Sequence, residues 1–297
     1  MIDYRKILKN QEFRLKFTTL FRFVPDKWYL KAVYRAKAGR KLNLNPPKGF
    51  NEKLQWLKMH DIRPEYTDLA DKVKVRDFIS DTLGEGYTFP LLGTWKRFEE
   101  IPFSELPDRF VLKCNHDSGS VRIIKDKNSL TDADMKDMRK FFRGRLKRNP
   151  YHTGREYPYK DIEPCILAEQ FMESTDGKGI NDYKFFCFDG KPKIMFVATD
   201  RSTDVKFDFF DMDFNHLDIY NCHPNADHPI EKPATFEQMK QIAEKLSQRM
   251  KTVRVDLYEI DGKIYFGEYT FFHAGGFYLF SPEEWEQRLG SWINIDE

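Results

Sequence analysis

The stretch Val253–Phe277, "VRVDLYEIDGKIYFGEYTFFHAGGF", decides how this chain is read. Two runs rich in Val, Leu, Tyr, Ile and Phe flank Asp261-Gly262, a strong hairpin signal. Arg254, Asp256, Glu268 and Thr270 stand where a plain apolar strand pair would not carry them. With Gly262 as the left-handed third residue of a three-residue loop, Asp256 pairs with Phe266 and Arg254 with Glu268, so all four polar residues share one face. A strict two-residue loop turns Glu268 to the other side, because a slip of one residue flips every side chain. Two readings of that face stand side by side: a solvated cross-strand salt bridge, or a site of hard oxygen ligands with an adjacent cation. The second suits Mg²⁺, which keeps several waters and completes its shell with substrate phosphates.

The 297 residues suffice for one large domain or two lobes. No apolar run approaches the length of a membrane span, and "MIDYRKILKNQEF" lacks a signal peptide's apolar stretch. Cys114, Cys165, Cys187 and Cys222 are scattered without a CxxC, which fits a reducing cytoplasm better than a disulfide framework or zinc site. The formal charge of +2 hides an asymmetry: residues 1–41 hold twelve Lys or Arg against Asp3, Glu12 and Asp26, which leaves −7 on the rest. Aromatic residues interleave with those cations. Such a segment either lies on an anionic membrane or glycan, or packs its rings on the body and turns its charges to water. Nucleic acid is a poor partner, because the body is acidic.

Along the chain, hairpins alternate with helices, which argues α+β with mostly antiparallel sheets. Helices are expected at 54–59, 67–79, 131–147 and 235–250, the last with a capping box from Thr235 to Gln238. Strands are expected at 110–125 as a pair, at 165–172, and as a hairpin turning at Asp189-Gly190. The helix at 67–79 sets Lys72 and Arg76 at i,i+4. Lys113 lies inside a strand and precedes Asp117-Ser118-Gly119-Ser120, a small polar loop whose backbone N–H groups can hold phosphate. It can equally be only a turn. Glu169 sits in the apolar strand "CILAEQFME".

That order of a cationic helix, strand lysine with Gly loop, "AEQF", "RVDL" and "GEYT" resembles the ATP-grasp superfamily, as in D-alanine:D-alanine ligase and biotin carboxylase. "FVLKCNHDSGS", "DYKFFCFDGKPK", "VRVDLYEIDGKIYFGEYTFF" and "SPEEWEQRLGSWI" are similar to the TupA-like branch, named for teichuronopeptide synthesis and found among genes for surface polysaccharides. The resemblance runs from about Leu69 to the C-terminus. It implies two α+β lobes around a nucleotide, at 66–173 and 174–297, after a basic, mostly helical segment at 1–65.

By this likeness Lys113 contacts the α and β phosphates of ATP, the loop carrying His116, Ser118, Gly119 and Ser120 closes over them, and Lys72 is a further phosphate cation. Glu169, Gln170 and Phe171 form the adenine hinge, and Asp182 meets the ribose. Asp256 and Glu268 hold Mg²⁺, with Thr270 where the superfamily usually has Asn, and Arg254 neutralises the transferring phosphoryl group. The implied reaction joins an amino acid and a uronic acid of a surface glycan, or its precursor, through an acyl phosphate. Arg201 and His273 are candidate substrate contacts, and the basic, aromatic segment 140–160 is a candidate acceptor surface. The rival readings are a glycosyltransferase with Asp211 and Asp213 as an Asp-x-Asp metal motif, and a non-catalytic binding module that uses the basic N-terminus.

Overall fold

The computed structural model describes residues 21–175, 179–200 and 204–296. In chain order these form α1 (Asp26–Ala38), α2 (Phe50–His60), α3 (Glu65–Ala70), α4 (Val75–Leu83), β1 (Leu91–Trp95), β2 (Phe110–Cys114), β3 (Val121–Ile124), α5 (Asp132–Leu146) and α6 (Tyr151–Gly154). They continue with β4 (Ile166–Gln170), β5 (Asp182–Phe188), β6 (Lys191–Thr199), β7 (Lys206–Asp211), β8 (His216–Leu217), α7 (Phe236–Leu246), β9 (Thr252–Ile260), β10 (Lys263–Thr270) and α8 (Glu283–Ser291). The strands make two antiparallel sheets, ordered β1-β4-β2-β3 and β10-β9-β5-β6-β7-β8. The fold class is α+β, as the alternation of hairpins and helices implies.

Each sheet has its own core. Phe110, Leu112 and Ile166 of the smaller sheet bury against Met138 and Phe142 of α5. The larger sheet buries Phe185, Phe196 and Phe209 with Phe236, Met239 and Leu246 of α7 and Leu289 of α8. Each such side chain stabilises the fold by about 1.5 to 3 kcal/mol. A third cluster joins Tyr29, Leu30 and Tyr34 of α1 to Leu42 and to Phe277 near the C-terminus. The described part of the basic N-terminal segment is thus a packed helix with an outward basic face, and residues 1–20 lie outside the described residues.

Three local expectations are corrected. The β9–β10 loop has two residues, not three: Asp261 and Gly262 take φ of 51° and 77°, and Ile260 pairs with Lys263. Both central residues are left-handed, as a type I′ turn requires. A bulge between Phe266 and Glu268 then inserts Gly267 as an extra residue, so Glu268 stands opposite Asp256 and Thr270 opposite Arg254. The four polar residues share a face after all, through the bulge rather than the loop.

The expected helix at 67–79 is two helices. Asp71 leaves the helical region with ψ of 116°, and its carboxylate accepts from Val73 N at 2.8 Å and from Asn115 Nδ2 at 3.0 Å. Lys72 therefore lies on a turn and does not share a helical face with Arg76. At the start of α7, Thr235 forms no cap; its hydroxyl donates to Glu259 Oε2 at 2.8 Å instead.

Candidate active site

Strand alternation builds the floor of a cleft of about 470 Å³ between the two sheets. Arg254, Asp256 and Tyr258 project from one face of β9 because side chains repeat every second residue. Register then lays Lys184, Asp256 and Glu268 in one row across three strands, and Phe186, Arg254 and Thr270 in the next. Lys72, Arg76, Lys113, the loop Asp117–Val121, Glu169, Asp182, Lys184, Arg254 and Glu268 line the cleft, with Phe89, Phe207, Tyr258 and Phe266 as apolar walls. Its size and its mix of apolar walls with convergent charges suit a small-molecule ligand.

The floor is a charge lattice. Arg254 donates to Asp256 through Nε and through Nη2, each at 2.7 Å, and Nη2 also donates to Thr270 Oγ1 at 2.9 Å. Its Nη1 donates to His273 Nδ1 at 2.6 Å, while His273 Nε2 lies 2.8 Å from Asn221 Oδ1. Lys184 bridges Asp256 and Asp182, reaching the latter at 2.6 Å. Burial opposes ionisation of Asp256, but Arg254 and Lys184 outweigh it and hold the carboxyl below its ordinary value. Burial first and Arg254 second push His273 well below the usual imidazole range.

Behind Arg254, residues 273–276 form a short coil in which Ala274, Gly275 and Gly276 all take left-handed φ of 49°, 65° and 66°. Lys58 grips it from α2: its ammonium donates to Gly275 O at 2.7 Å, Gly154 O at 2.8 Å and Gln55 Oε1 at 3.0 Å.

On the opposite wall, Lys113 of β2 pairs with Glu169 of β4, and Arg76 Nη1 stands 3.5 Å from the same carboxylate. The small polar loop is stapled from two sides. Lys72 Nζ donates to Asp117 O at 2.7 Å and lies 3.8 Å from Glu268 Oε2, while Arg145 donates to Asp117 Oδ2 and Gly119 O, each at 3.0 Å. Ser120 Oγ accepts from Cys114 N at 3.0 Å, and Gly119 takes a left-handed φ of 76°.

Of the residues singled out in the sequence, Lys72, Lys113, Ser118, Gly119, Ser120, Glu169, Asp182, Arg254 and Glu268 meet at the cleft. The others stand elsewhere. His116 is buried, with Nε2 3.1 Å from Arg148 O. Gln170 bonds Pro90 through its backbone and its side chain is exposed, while Phe171 lies under the Arg109 guanidinium at 4.4 Å. Asp256, Thr270 and His273 form the layer that holds Arg254. Arg201 lies outside the described residues. Asp211 closes a turn, accepting from Asp213 N at 2.9 Å and Asn215 N at 2.8 Å, and neither aspartate lines the cleft.

Within 140–160, Arg145 serves the loop and Arg155 is buried beneath α1, bonding Asp26 and Phe21 O. Lys184 is the residue that sequence reasoning missed. It stands two positions after Asp182 in "DYKFF", so alternation alone places both on one face.

Among the described residues no group of three or more His, Cys, Asp or Glu is gathered for a metal. Glu268 suits Mg²⁺, which takes one or two protein carboxylates beside water and phosphate, whereas Asp256 is buried with both oxygens held by Arg254. Glu268 faces the cleft, and Asp256 would exchange its Lys184 contact for the ion.

The family model for TupA-like ATPgrasp matches residues 52–294. No curated protein matches the sequence. Among solved structures, the chain is similar to D-alanine–D-alanine ligase from Bacillus anthracis at 18% identity and TM-score 0.39, over 75% of this chain and 59% of that one. It is similar to L-amino acid ligase from Bacillus licheniformis at 12% identity and TM-score 0.47, over 86% and 57%. For D-alanine–D-alanine ligase from Helicobacter pylori the values are 13% and 0.41, over 83% and 71%. The chain thus spans under two thirds of the length of the two Bacillus ligases. With the family model matching 243 of its 297 residues, the chain belongs to the TupA-like ATP-grasp family.

Proposed function

We propose that the protein is an ATP-dependent carboxylate–amine ligase that works through an acyl phosphate, joining an amino acid to a uronic acid of a surface polysaccharide or its precursor. The observation that carries this reading is the set Lys184, Glu268 and Arg254, laid over the buried Asp256 and facing Lys72 and Lys113 across the cleft. The cations that converge on the cleft supply the charge compensation and positioning that phosphoryl transfer calls on.

In this reading Lys113 and Lys72 neutralise the phosphates of ATP under the loop Asp117–Ser120, and Glu169 meets the base. A substrate carboxylate oxygen attacks the γ-phosphorus, and the bond to the bridging oxygen of ADP breaks. Arg254, fixed on three sides, meets the charge that develops on the transferring group. Amine nitrogen then attacks the acyl carbon, phosphate leaves, and the nitrogen sheds a proton to water. Glu268, with Asp256, would hold Mg²⁺, which would supply Lewis-acid charge compensation when bound. We assign residues 66–173 and 174–297 to the two nucleotide-clasping lobes and residues 1–65 to a basic N-terminal segment. That segment gives a cytoplasmic protein peripheral contact with an anionic membrane or glycan. The uronic acid and the amino acid rest on the family's likeness and not on any residue contact.

The test is the nucleotide product. ADP release that depends on a uronic acid and an amino acid, with hydroxylamine trapping a hydroxamate, supports the ligase. Release of UDP with glycosyl addition overturns it in favour of a transferase, a reading that the turn-closing role of Asp211 does not favour.

A further inference from the structure

We propose that the outward face of α1 docks on an anionic lipid bilayer. This deepens the reading of the N-terminal segment as an anionic-surface contact and is independent of the ligase chemistry. At 100° per residue, Lys27, Trp28, Lys31 and Arg35 fall within about a quarter to a third of the helix circumference, while Tyr29, Leu30 and Tyr34 lie on the remaining arc and pack in the third core cluster. The outward arc is basic and carries a large apolar ring in water: Trp28 is 66% exposed, and Phe23, just before the helix, is 80% exposed. Each ring stacks with a cation, Lys31 at 5.7 Å from Trp28 and Arg22 at 4.9 Å from Phe23.

The face is presented by a fixed helix. Tyr29 OH donates to Thr153 O at 3.0 Å, Tyr151 OH donates to Asp26 Oδ2 at 2.7 Å, and Arg155 Nε stands 3.2 Å from Asp26 Oδ1. Asp26, the one acidic group from residue 21 to residue 41, is thus turned inward and leaves the arc positive. Charge complementarity calls for an anionic partner. The shape selects lipid over glycan or nucleic acid, because the arc is convex and its rings project outward where they can enter the headgroup layer. A polyanion chain is usually held in a groove with paired polar groups.

The experiment is cosedimentation of the full-length protein with vesicles of phosphatidylcholine alone and of phosphatidylcholine with phosphatidylglycerol, with tryptophan quenching by brominated acyl chains. Binding is expected only with phosphatidylglycerol. Each cation near such a surface is worth about fivefold in affinity, so K27Q/K31Q/R35Q loses on the order of a hundredfold. Trp28→Phe retains binding and loses most of the quenching, and all variants keep the wild-type rate of ATP hydrolysis or ligation in solution. Equal binding to neutral vesicles, quenching unchanged in Trp28→Phe, or tighter binding to soluble polyuronate or duplex DNA than to the anionic vesicles overturns the proposal. None of those results bears on the nucleotide product.

Discussion

Arg254 and His273 form a donor–acceptor pair in which the imidazole has no choice of tautomer. A guanidinium can only donate, so Nδ1 accepts and the proton sits on Nε2, facing Asn221 Oδ1. The ring is therefore neutral, and its titration is held well below the ordinary range by burial and by Arg254. In the unfolded chain it binds a proton near pH 6.5. Stability from this group is complete above that pH and declines as pH falls towards the depressed native value, by up to about 1.4 kcal/mol per unit. Among its neighbours, Asp256 titrates only at lower pH and Arg254 not at all in this window. Urea unfolding between about pH 7 and 5 should show a slope in the wild type that His273→Gln reduces by an amount rising towards one proton at the acid end.

Gly267 is the residue that turns Glu268 to the cleft. A Cβ there would lie 2.8 Å from Tyr258 Cε2 and 3.1 Å from Asp256 O, too close to both a ring of the cleft wall and the backbone of β9. Gly267→Ala should cost about 1 to 3 kcal/mol, shift the bulge and reduce turnover far more than ATP binding. Turnover equal to wild type with an unchanged melting temperature would show that the bulge tolerates a side chain.

The two carboxylates of the hairpin should separate in their structural cost. Asp256 is fully buried between Arg254 and Lys184, so Asp256→Asn leaves two cations undercompensated and should destabilise by about 3 kcal/mol besides ending turnover. Glu268 is partly exposed in the cleft and should end turnover as Glu268→Gln with little change in melting. Thermal denaturation alongside ADP release distinguishes the two; a retained rate in either variant removes that carboxylate from the metal site.

Lys58 is buried, and burial lowers its titration to about 7. Replacement by Met leaves Gly154 O and Gln55 Oε1 without their donor, a loss offset in part by relief of a desolvated ammonium. We expect about 2 kcal/mol of destabilisation, and a fall in kcat larger than any rise in KM for ATP, because the coil that carries His273 loosens. The reverse split would place Lys58 at the nucleotide.

What the sequence revealed follows from how local each cause is. The β9 part of the cleft floor, Arg254 and Asp256, was legible because alternation along one strand acts within a few residues, whereas the length of the Asp261-Gly262 loop was misread and Lys184 of β5 was missed. The bulge was not, since Gly267 reads like any glycine until the ring of Tyr258 is known to cover it. The break at Lys72 was hidden for another reason: Asp71 turns to meet Asn115, a partner 44 residues away. Capping at Thr235 lost to Glu259 by the same kind of tertiary competition. Arg145 and Arg155 read as open basic surface because the chain alone does not say that one reaches the Gly loop and the other lies beneath α1.

The clasp of α1 onto Phe277 bears on where the polypeptide can be shortened. The family match begins at residue 52, inside α2 and beyond Phe50, whose ring meets those of Phe186, Phe188 and Phe280 edge-on. A fragment trimmed to the matched residues would leave an open hydrophobic socket at Phe277, beside the coil that carries His273, and a second where Phe50 had been. Such a fragment should self-associate, so the autonomous folding unit is longer than the family match and includes the helix whose other side faces outward.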